Sequence, residues 1–391
     1  MKNKNMNLRK KTLVYIFTGK RGGFSHFIPI MKIIDKKKDI DYKIIASDMH
    51  LSSLFGKTFN EIKLYTSKII KLNGRTIKDA VKNRVSVISN NIENISKIFS
   101  KKKPDYLIVL GDRAEVLGAA IAAQFFNIPI VHMYGGDITQ GGTDEPTRHA
   151  ITKLSNLHLT SNINSQKNVR QMGEENWRIN NVGLTSIDLF KNRFFKSKKY
   201  LEEKFSLDFK KPFIILIQHP VTWQVKDVEF QIKETLKAIK YLKIQTVAIY
   251  PCSDPGFKKI INAYNKIKNK DYFQLHKNIE LNDFYSLLNY SKMLIGNSSC
   301  GITECGYLKK YVINIGIRQE GRVSKNNVFH IPHNSIKIAN LITKILNKKK
   351  IRKRSFIYGD GKSAHKITKI LTKKYDIKKL INKKFESLHL Q

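Results

Sequence analysis

Cysteines and acidic residues are scarce in this 391-residue chain, and long apolar runs are missing. Three cysteines, Cys252, Cys300 and Cys305, have no CxxC spacing, so neither a disulfide framework nor a metal site is expected, and a reducing cytoplasm suits them. Hydrophobic residues make up 41% of the chain, yet no run approaches the ~18 to 20 apolar residues of a membrane span, so a soluble protein is expected. The basic opening, Met1 to Lys11, leads straight into Thr12-Leu-Val-Tyr-Ile-Phe17, too short and too soon broken by Gly19 for a signal peptide. Against 72 Lys and Arg stand 31 Asp and Glu, a formal charge of +41. Such a surplus ordinarily points to nucleic acid, because Lys and Arg neutralise phosphates and release counterions. Here the lysines are spread with Asn and Ile along nearly the whole chain, as in Lys36–Lys38, Lys101–Lys103 and Lys348–Lys350. No recognisable nucleic-acid module accompanies them. Specific nucleic-acid binding is therefore not expected; a looser attraction to anionic ligands or a membrane surface fits the charge somewhat better than that.

At this length two domains are expected, each able to bury its own core. Short β-branched runs alternate with amphipathic stretches, and strands are expected at Leu13–Phe17, Tyr42–Ala46, Tyr106–Leu110, Pro129–Met133 and Leu157–Ser161. This is the βαβ alternation of a parallel, doubly wound α/β sheet. After Gly183 the pattern lapses into the Phe/Lys-rich stretch Lys191 to Lys199, with a helix expected near Tyr200–Phe205. It resumes at Phe213–Ile217, Thr246–Tyr250, Tyr272–Leu275, Met293–Ile295 and Val312–Ile315. The expected organisation is an N-terminal domain at 1–185, a linker at 186–211, a C-terminal domain at 212–375 and a basic tail at 376–391. Two such sheets turn their C-terminal ends toward a shared cleft, where ligands bind in open α/β proteins.

The segment Met293-Leu-Ile-Gly-Asn-Ser-Ser-Cys-Gly-Ile-Thr-Glu-Cys-Gly306 reads as a strand, a small polar turn and a helix start. Gly296, Ser298, Ser299 and Gly301 let backbone N–H groups approach an anion there. Glu304 falls one helical turn in, placed for ribose hydroxyls, and Arg318 and Arg322 in the following loop suit phosphate oxygens. In the first half, Leu107-Ile-Val-Leu-Gly-Asp-Arg113 ends a buried strand with Asp112 projecting into the cleft, as an acid/base or as a helix cap. Downstream, Val131 to Ala150 supplies a Gly-rich loop with Asp137, Asp144 and Glu145, then Arg148 and His149 on a helix beginning near Pro146. Paired carboxylates with separated pKa values are what a proton-in, proton-out reaction at a sugar requires; acidic helix-capping residues are the plainer alternative. His219, in Gln218-His-Pro220, follows a C-domain strand at a good place for a phosphate or leaving-group contact, whereas His132 is expected to shape its strand end.

These residues, in this order, resemble the UDP-N-acetylglucosamine 2-epimerase family, in its hydrolysing branch, which feeds sialic- and legionaminic-acid-type sugar synthesis. The landmarks run through most of the chain: Thr18-Gly-Lys-Arg21, Asp48-Met-His-Leu51, Gly111-Asp-Arg113, Arg148-His-Ala-Ile-Thr-Lys153, Gln171-Met-Gly173, Asn181-Val-Gly183, His219-Pro-Val-Thr222, Gly296-Asn-Ser-Ser299, Ile315-Gly-Ile-Arg-Gln319 and Tyr358-Gly-Asp-Gly361. The resemblance implies two Rossmann-like domains facing across a cleft, as in GT-B glycosyltransferases, with the C-terminal helix crossing back to the first. It implies elimination of UDP across C1 and C2 of a 2-acetamido sugar, then hydration of the glycal to a free manno-configured sugar, with no cofactor or metal. By the same resemblance Arg21, His219, Ser298, Ser299, Glu304, Arg318 and Arg322 hold the nucleotide diphosphate, with Phe284 beside uracil. Asp112, Asp144 and Glu145 are the acid/base candidates, Arg113 and Arg148 organise charge, and Tyr134, Asp137 and His149 face the sugar. The sugar is UDP-N-acetylglucosamine or UDP-N,N'-diacetylbacillosamine, and a homodimer or other homo-oligomer is compatible with it. Tyr134 departs from the family in His132-Met-Tyr-Gly-Gly136, where an acidic residue is usual, and Cys252 departs in Pro251-Cys-Ser-Asp-Pro-Gly256. A GT-B glycosyltransferase and a non-catalytic anion-binding protein remain alternatives on sequence alone.

Overall fold

The structure, a computed structural model, describes residues 11–72, 77–191 and 195–387. The basic opening before Lys11, part of the expected linker and the last four residues of the expected tail lie outside the described residues. One sheet is built from β1 (Thr12–Thr18), β2 (Ile40–Ala46), β3 (Ile69–Lys71), β4 (Tyr106–Leu110), β5 (Ile130–Met133), β6 (Leu157–Thr160) and β7 (Ile179–Asn181). They lie in the order β3-β2-β1-β4-β5-β6-β7, every pair parallel. The other sheet comprises β8 (Phe213–Ile217), β9 (Gln245–Ile249), β10 (Phe273–His276), β11 (Met293–Gly296), β12 (Tyr311–Ile315) and β13 (Val328–Ile331). Its order is β10-β9-β8-β11-β12-β13, again all parallel.

Helices cover both faces, so the central strands are nearly continuous apolar runs rather than alternating ones. The two-residue period of a strand still sorts β1: Val14 and Ile16 enter the core on one face, Tyr15 and Phe17 the core on the other. The first of these cores continues through Ile215, Ile217 and Leu287 of the second unit, so the two units share one apolar seam. Three strands had no sequence signal, and all three are outermost in their sheets: β3, β7 and β13. Each is short and only partly buried, because an edge strand pairs on one side and needs no long apolar run.

The chain returns to the first unit at its end. Helix Ser363–Thr372 packs on helices Ile28–Ile34 and Thr185–Lys191. Asp188 accepts the backbone N–H groups of Ser363 (3.1 Å) and Ala364 (2.7 Å), closing the helix start from across the junction. The segment beyond 375 is no free tail: helix Ile377–Ile381 docks on the first unit, where buried Arg178 donates to the carbonyls of Lys379 (2.8 Å) and Leu380 (2.7 Å).

In each sheet the strand order reverses between two neighbours, β1 and β4 in one and β8 and β11 in the other. The loops leaving those four strands begin at Gly19, Gly111, Gln218 and Asn297, and they open on one cleft between the units, where such folds bind ligands. Close approach of the second pair depends on Gly296, whose φ of +118° is accessible only to glycine and whose absent Cβ would lie 2.0 Å from the Ile217 carbonyl oxygen. Gly296→Ala is expected to cost at least ~2 kcal/mol, seen as a lower urea midpoint with unchanged slope. An unchanged midpoint would contradict this account of the switch point.

Candidate active site

On the second unit Asn297 ties three loops together. Its Oδ1 accepts the His219 backbone N–H (2.7 Å), its Nδ2 donates to the His219 carbonyl (2.9 Å), and its own carbonyl accepts from Arg318 Nη1 (3.2 Å) and Gln319 Nε2 (3.1 Å). Ser298, Ser299 and Glu304 line the cleft beyond it, Glu304 buried and pushed up by that burial despite the Thr303 hydroxyl. His219 Nδ1 accepts the Cys252 backbone N–H at 3.0 Å. Burial, reinforced by the Arg318 charge, holds the imidazole well below its ordinary range, so it is neutral with its proton on Nε2. That leaves one N–H donor on a residue lining the cleft. Cys252 serves this arrangement through its backbone, while its thiol donates to Asp254 (2.8 Å). Phe284 lines the same wall beside Leu281 and Tyr285 and packs partly against the core. Arg21 comes from the first unit, lines the cleft and donates to the carbonyls of Tyr250 (2.6 Å) and Lys277 in the second.

The first unit supplies the carboxylates. Asp112 leaves β4 and pairs with the buried guanidinium of Arg148, which also donates to the Asp137 carbonyl (2.7 Å). Asp144 opens helix Asp144–Leu154 and faces Arg318 Nη2 of the other unit at 3.3 Å. Asp137 meets Arg322 Nη2 at 3.1 Å and accepts from Ser161 Oγ at 3.0 Å. Asp112 and Asp144 are driven apart electrostatically. Burial alone would raise Asp112, but the Arg148 guanidinium, with Lys20 and Arg322, holds it well below the usual carboxylate range. Burial and then the Asp112 charge raise Asp144 above that range, against the opposing pull of Arg318. One carboxylate is thus ionised and its neighbour inclined to keep a proton.

Tyr134 takes a left-handed conformation (φ +66°) at the end of β5. Its hydroxyl accepts the Thr185 backbone N–H (3.1 Å) and lies 2.9 Å from Thr185 Oγ1 and 3.2 Å from His26 Nδ1. Burial raises the phenol and lowers His26 to about 3, so this wall of the cleft is neutral and hydrogen-bonded.

Three of the expected site residues, Arg113, Glu145 and His149, do not line the cleft. Arg113 is buried and, with Arg84, grips the Asp254 carboxylate of the second unit, with Glu115 3.4 Å from its Nε. Glu145 turns to the Thr139 backbone N–H and to His149 Nε2 (3.5 Å), which accounts for both residues. His132 braces its strand end, as its surroundings in the sequence suggested, with Nε2 2.8 Å from the Gly111 carbonyl. Lys20, His26, Thr185, Asn297 and the Arg84–Asp254 pair were not singled out. Lys20, Asn297 and Asp254 did lie within quoted motifs, while Arg84, His26 and Thr185 lay outside them.

Two parallel α/β units, with cations and an ionised carboxylate converging at the switch points of both, define a protein of two Rossmann-like domains in the GT-B manner, with its ligand cleft between them. Residues 32–372 match the family model described as UDP-N-acetylglucosamine 2-epimerase, and the chain belongs to that family, an enzyme of the nucleotide-sugar 2-epimerase type. It is 31% identical over 362 residues to the UDP-N,N'-diacetylbacillosamine 2-epimerase (hydrolyzing) of Legionella pneumophila, covering 92% of this chain and 95% of that one. It is 35% identical over 302 residues to the GDP/UDP-N,N'-diacetylbacillosamine 2-epimerase (hydrolyzing) of Campylobacter jejuni, covering 75% and 78%. In fold it matches the Methanocaldococcus jannaschii UDP-GlcNAc 2-epimerase, crystallised with UDP-GlcNAc and UDP, at a TM-score of 0.77 and 22% identity, over 92% of this chain and 99% of that one.

The Asp254 clasp gives a test of how the cleft is framed. Asp254→Ala removes the carboxylate that joins half-buried Arg84 and buried Arg113 to the second unit, leaving them Glu115 of their own unit, and is expected to cost ~3 kcal/mol. The unfolding midpoint should fall and the radius of gyration from X-ray scattering should rise; no change in either contradicts a clasp.

Proposed function

We propose that the protein is a hydrolysing 2-epimerase that eliminates UDP from a UDP-linked 2-acetamido sugar and hydrates the resulting glycal. The single observation that carries the reading is the pair Asp112 and Asp144, two cleft carboxylates shifted in opposite directions. In the elimination Asp112 takes the proton from C2 as the C1–O bond breaks and the electron pair leaves with UDP. Loss of a diphosphate needs positive charge and N–H donors at its oxygens, which Arg318, Arg322 and the Nε2 proton of His219 supply in the cleft. In the hydration, protonated Asp144 gives its proton to C2, water adds its oxygen to C1, and the water proton restores Asp144; Asp112 is reset by releasing the proton it took from C2 to solvent. Delivery of the C2 proton to the other face inverts that centre. Glu145 and His149 then position the helix start rather than touch the sugar, and Arg113 acts through the clasp.

The charge pairs in the cleft couple binding to chemistry. Arg318 is held by Asp144 and Arg322 by Asp137, so a diphosphate competes for both guanidiniums. A phosphate oxygen that draws Arg318 away removes the main cation opposing protonation of Asp144. Offsetting the charges of Lys20 and Arg322 also raises the basicity of Asp112. Both changes favour the reaction, and both follow from the charge of the leaving group.

For the sugar, the 31% and 35% identities to hydrolysing diacetylbacillosamine enzymes favour UDP-N,N'-diacetylbacillosamine over UDP-N-acetylglucosamine. The neutral Tyr134–Thr185–His26 wall is consistent with an acetamido group in place of a hydroxyl. No helix among the described residues is long and apolar enough to cross a membrane, and the three unpaired thiols suit a cytoplasmic enzyme.

Asp112→Asn is expected to retain UDP binding and to slow UDP release by on the order of 10²- to 10⁴-fold. Unchanged turnover removes Asp112 from the mechanism. Because Asp144 works protonated and its pKa is raised, kcat/KM of the wild type should fall on the alkaline side as Asp144 loses its proton. Asp144→Asn should leave a slow reaction lacking that limb; a surviving limb assigns it to another group. Offering each UDP-sugar separately, with the product followed by NMR, should show faster release from the diacetylbacillosamine donor and a free manno product.

A further inference from the structure

The edge of the second sheet farthest from the cleft is rich in positive charge. All strands of the second sheet run parallel, so their N-terminal ends share one edge, roughly 24 Å wide at the usual strand spacing. Every one of the six is entered through a lysine no more than three residues ahead: Lys211, Lys243, Lys270, Lys292, Lys310 and Lys325 for β8 to β13 in turn. Among the described residues only Lys211 has a carboxylate partner, Asp208 at 3.7 Å. The loop Lys348-Lys-Lys-Ile-Arg-Lys-Arg354 returns to the same edge after helix Ser335–Leu346. It is fastened there by Lys292 Nζ donating to the Lys348 carbonyl (2.9 Å) and by the Tyr311 hydroxyl donating to the Lys349 carbonyl (2.9 Å). Its residues from Lys349 on, Ile351 excepted, are exposed cations. Two aromatic side chains stand out among these charges, Tyr241 81% exposed at the end of the helix leading into β9 and Phe356 59% exposed just past the loop.

Positive charge outweighs the two acidic residues at these strand entrances, Asp208 before β8 and Asp271 before β10. Burial, then the neighbouring charges of Lys350 and Lys292, lowers Lys310 to about 8, and Lys292 is lowered for the same reasons. An anion at this edge would relieve that repulsion.

We propose that this edge is a peripheral docking surface for an anionic phospholipid membrane, with the Lys349–Arg354 loop supplying charge and Tyr241 and Phe356 entering the headgroup layer. A broad edge with separately protruding aromatics suits a lipid surface better than it suits a nucleic-acid strand, which needs a groove with stacked platforms. The cleft opens at the opposite ends of these strands, so a docked molecule keeps its substrate entrance in solution. Docking of this kind is independent of the reaction proposed above.

The test is co-sedimentation of the full chain with vesicles of phosphatidylcholine alone or mixed with phosphatidylglycerol. Binding should be confined to the anionic vesicles and fall steeply with added salt. The variant K349Q/K350Q/R352Q/K353Q should lose at least tenfold in affinity with an unchanged unfolding midpoint and unchanged UDP binding. A charge-matched control on the first unit, K36Q/K37Q/K38Q/K43Q, should bind as the wild type does. Equal loss in both variants, retained binding by the loop variant, or absence of binding to anionic vesicles overturns the proposal. Tighter binding to single-stranded RNA than to vesicles, abolished in the loop variant, overturns it in favour of a nucleic-acid surface.

Discussion

Charge pairing between the two units governs this molecule. Asp144 with Arg318, Asp137 with Arg322, and Asp254 with Arg84 and Arg113 all reach from one sheet to the other. Each takes ions out of water, and such pairs are tolerated only where partners are matched closely. The clasp at Asp254 lies beside the cleft and stays paired, whereas the pairs at Arg318 and Arg322 lie in its wall. The same guanidiniums that hold the two units in register are those a diphosphate would seek, so ligand and protein carboxylates compete for them.

That competition depends on rigid supports. Parallel strands buried on both faces fix where each loop starts, and the shared apolar seam fixes one sheet against the other. Asn297 then locks the His219 and Arg318 loops to each other, and the Cys252 backbone sets the tautomer of His219. The returning helix Ser363–Thr372, capped by Asp188 of the first unit, adds a further crossing of the junction. Local chemistry and overall architecture are tied by a few polar contacts at strand ends.

Much of this was legible in the sequence. Long β-branched runs announced the inner strands, and the turn after β11 with the Arg318–Arg322 loop announced the second unit's side of the cleft. The outer strands β3, β7 and β13 were silent because half-exposed edge strands need no apolar pattern. Arg113 and Glu145 read as site residues because they adjoin Asp112 and Asp144, but successive residues at a strand end or helix start point in different directions. Arg113 accordingly turns to Asp254 and Glu145 to Thr139. His26 and Thr185, far apart in sequence, meet Tyr134 only through the fold, and no local signal marked them. Tyr134 itself looked anomalous as a substitute for an acid; in place it is a neutral wall whose hydroxyl is already engaged.

The central claim is that the diphosphate, by drawing Arg318 from Asp144, sets the protonation the reaction needs. It is tested most directly by calorimetry of a non-hydrolysable UDP-sugar analogue binding in two buffers of different ionisation enthalpy, on the alkaline side of the Asp144 pKa in the free enzyme. The account predicts net proton uptake on binding to the wild type and none with Asp144→Asn. Binding without uptake, or with the same uptake in the variant, contradicts it.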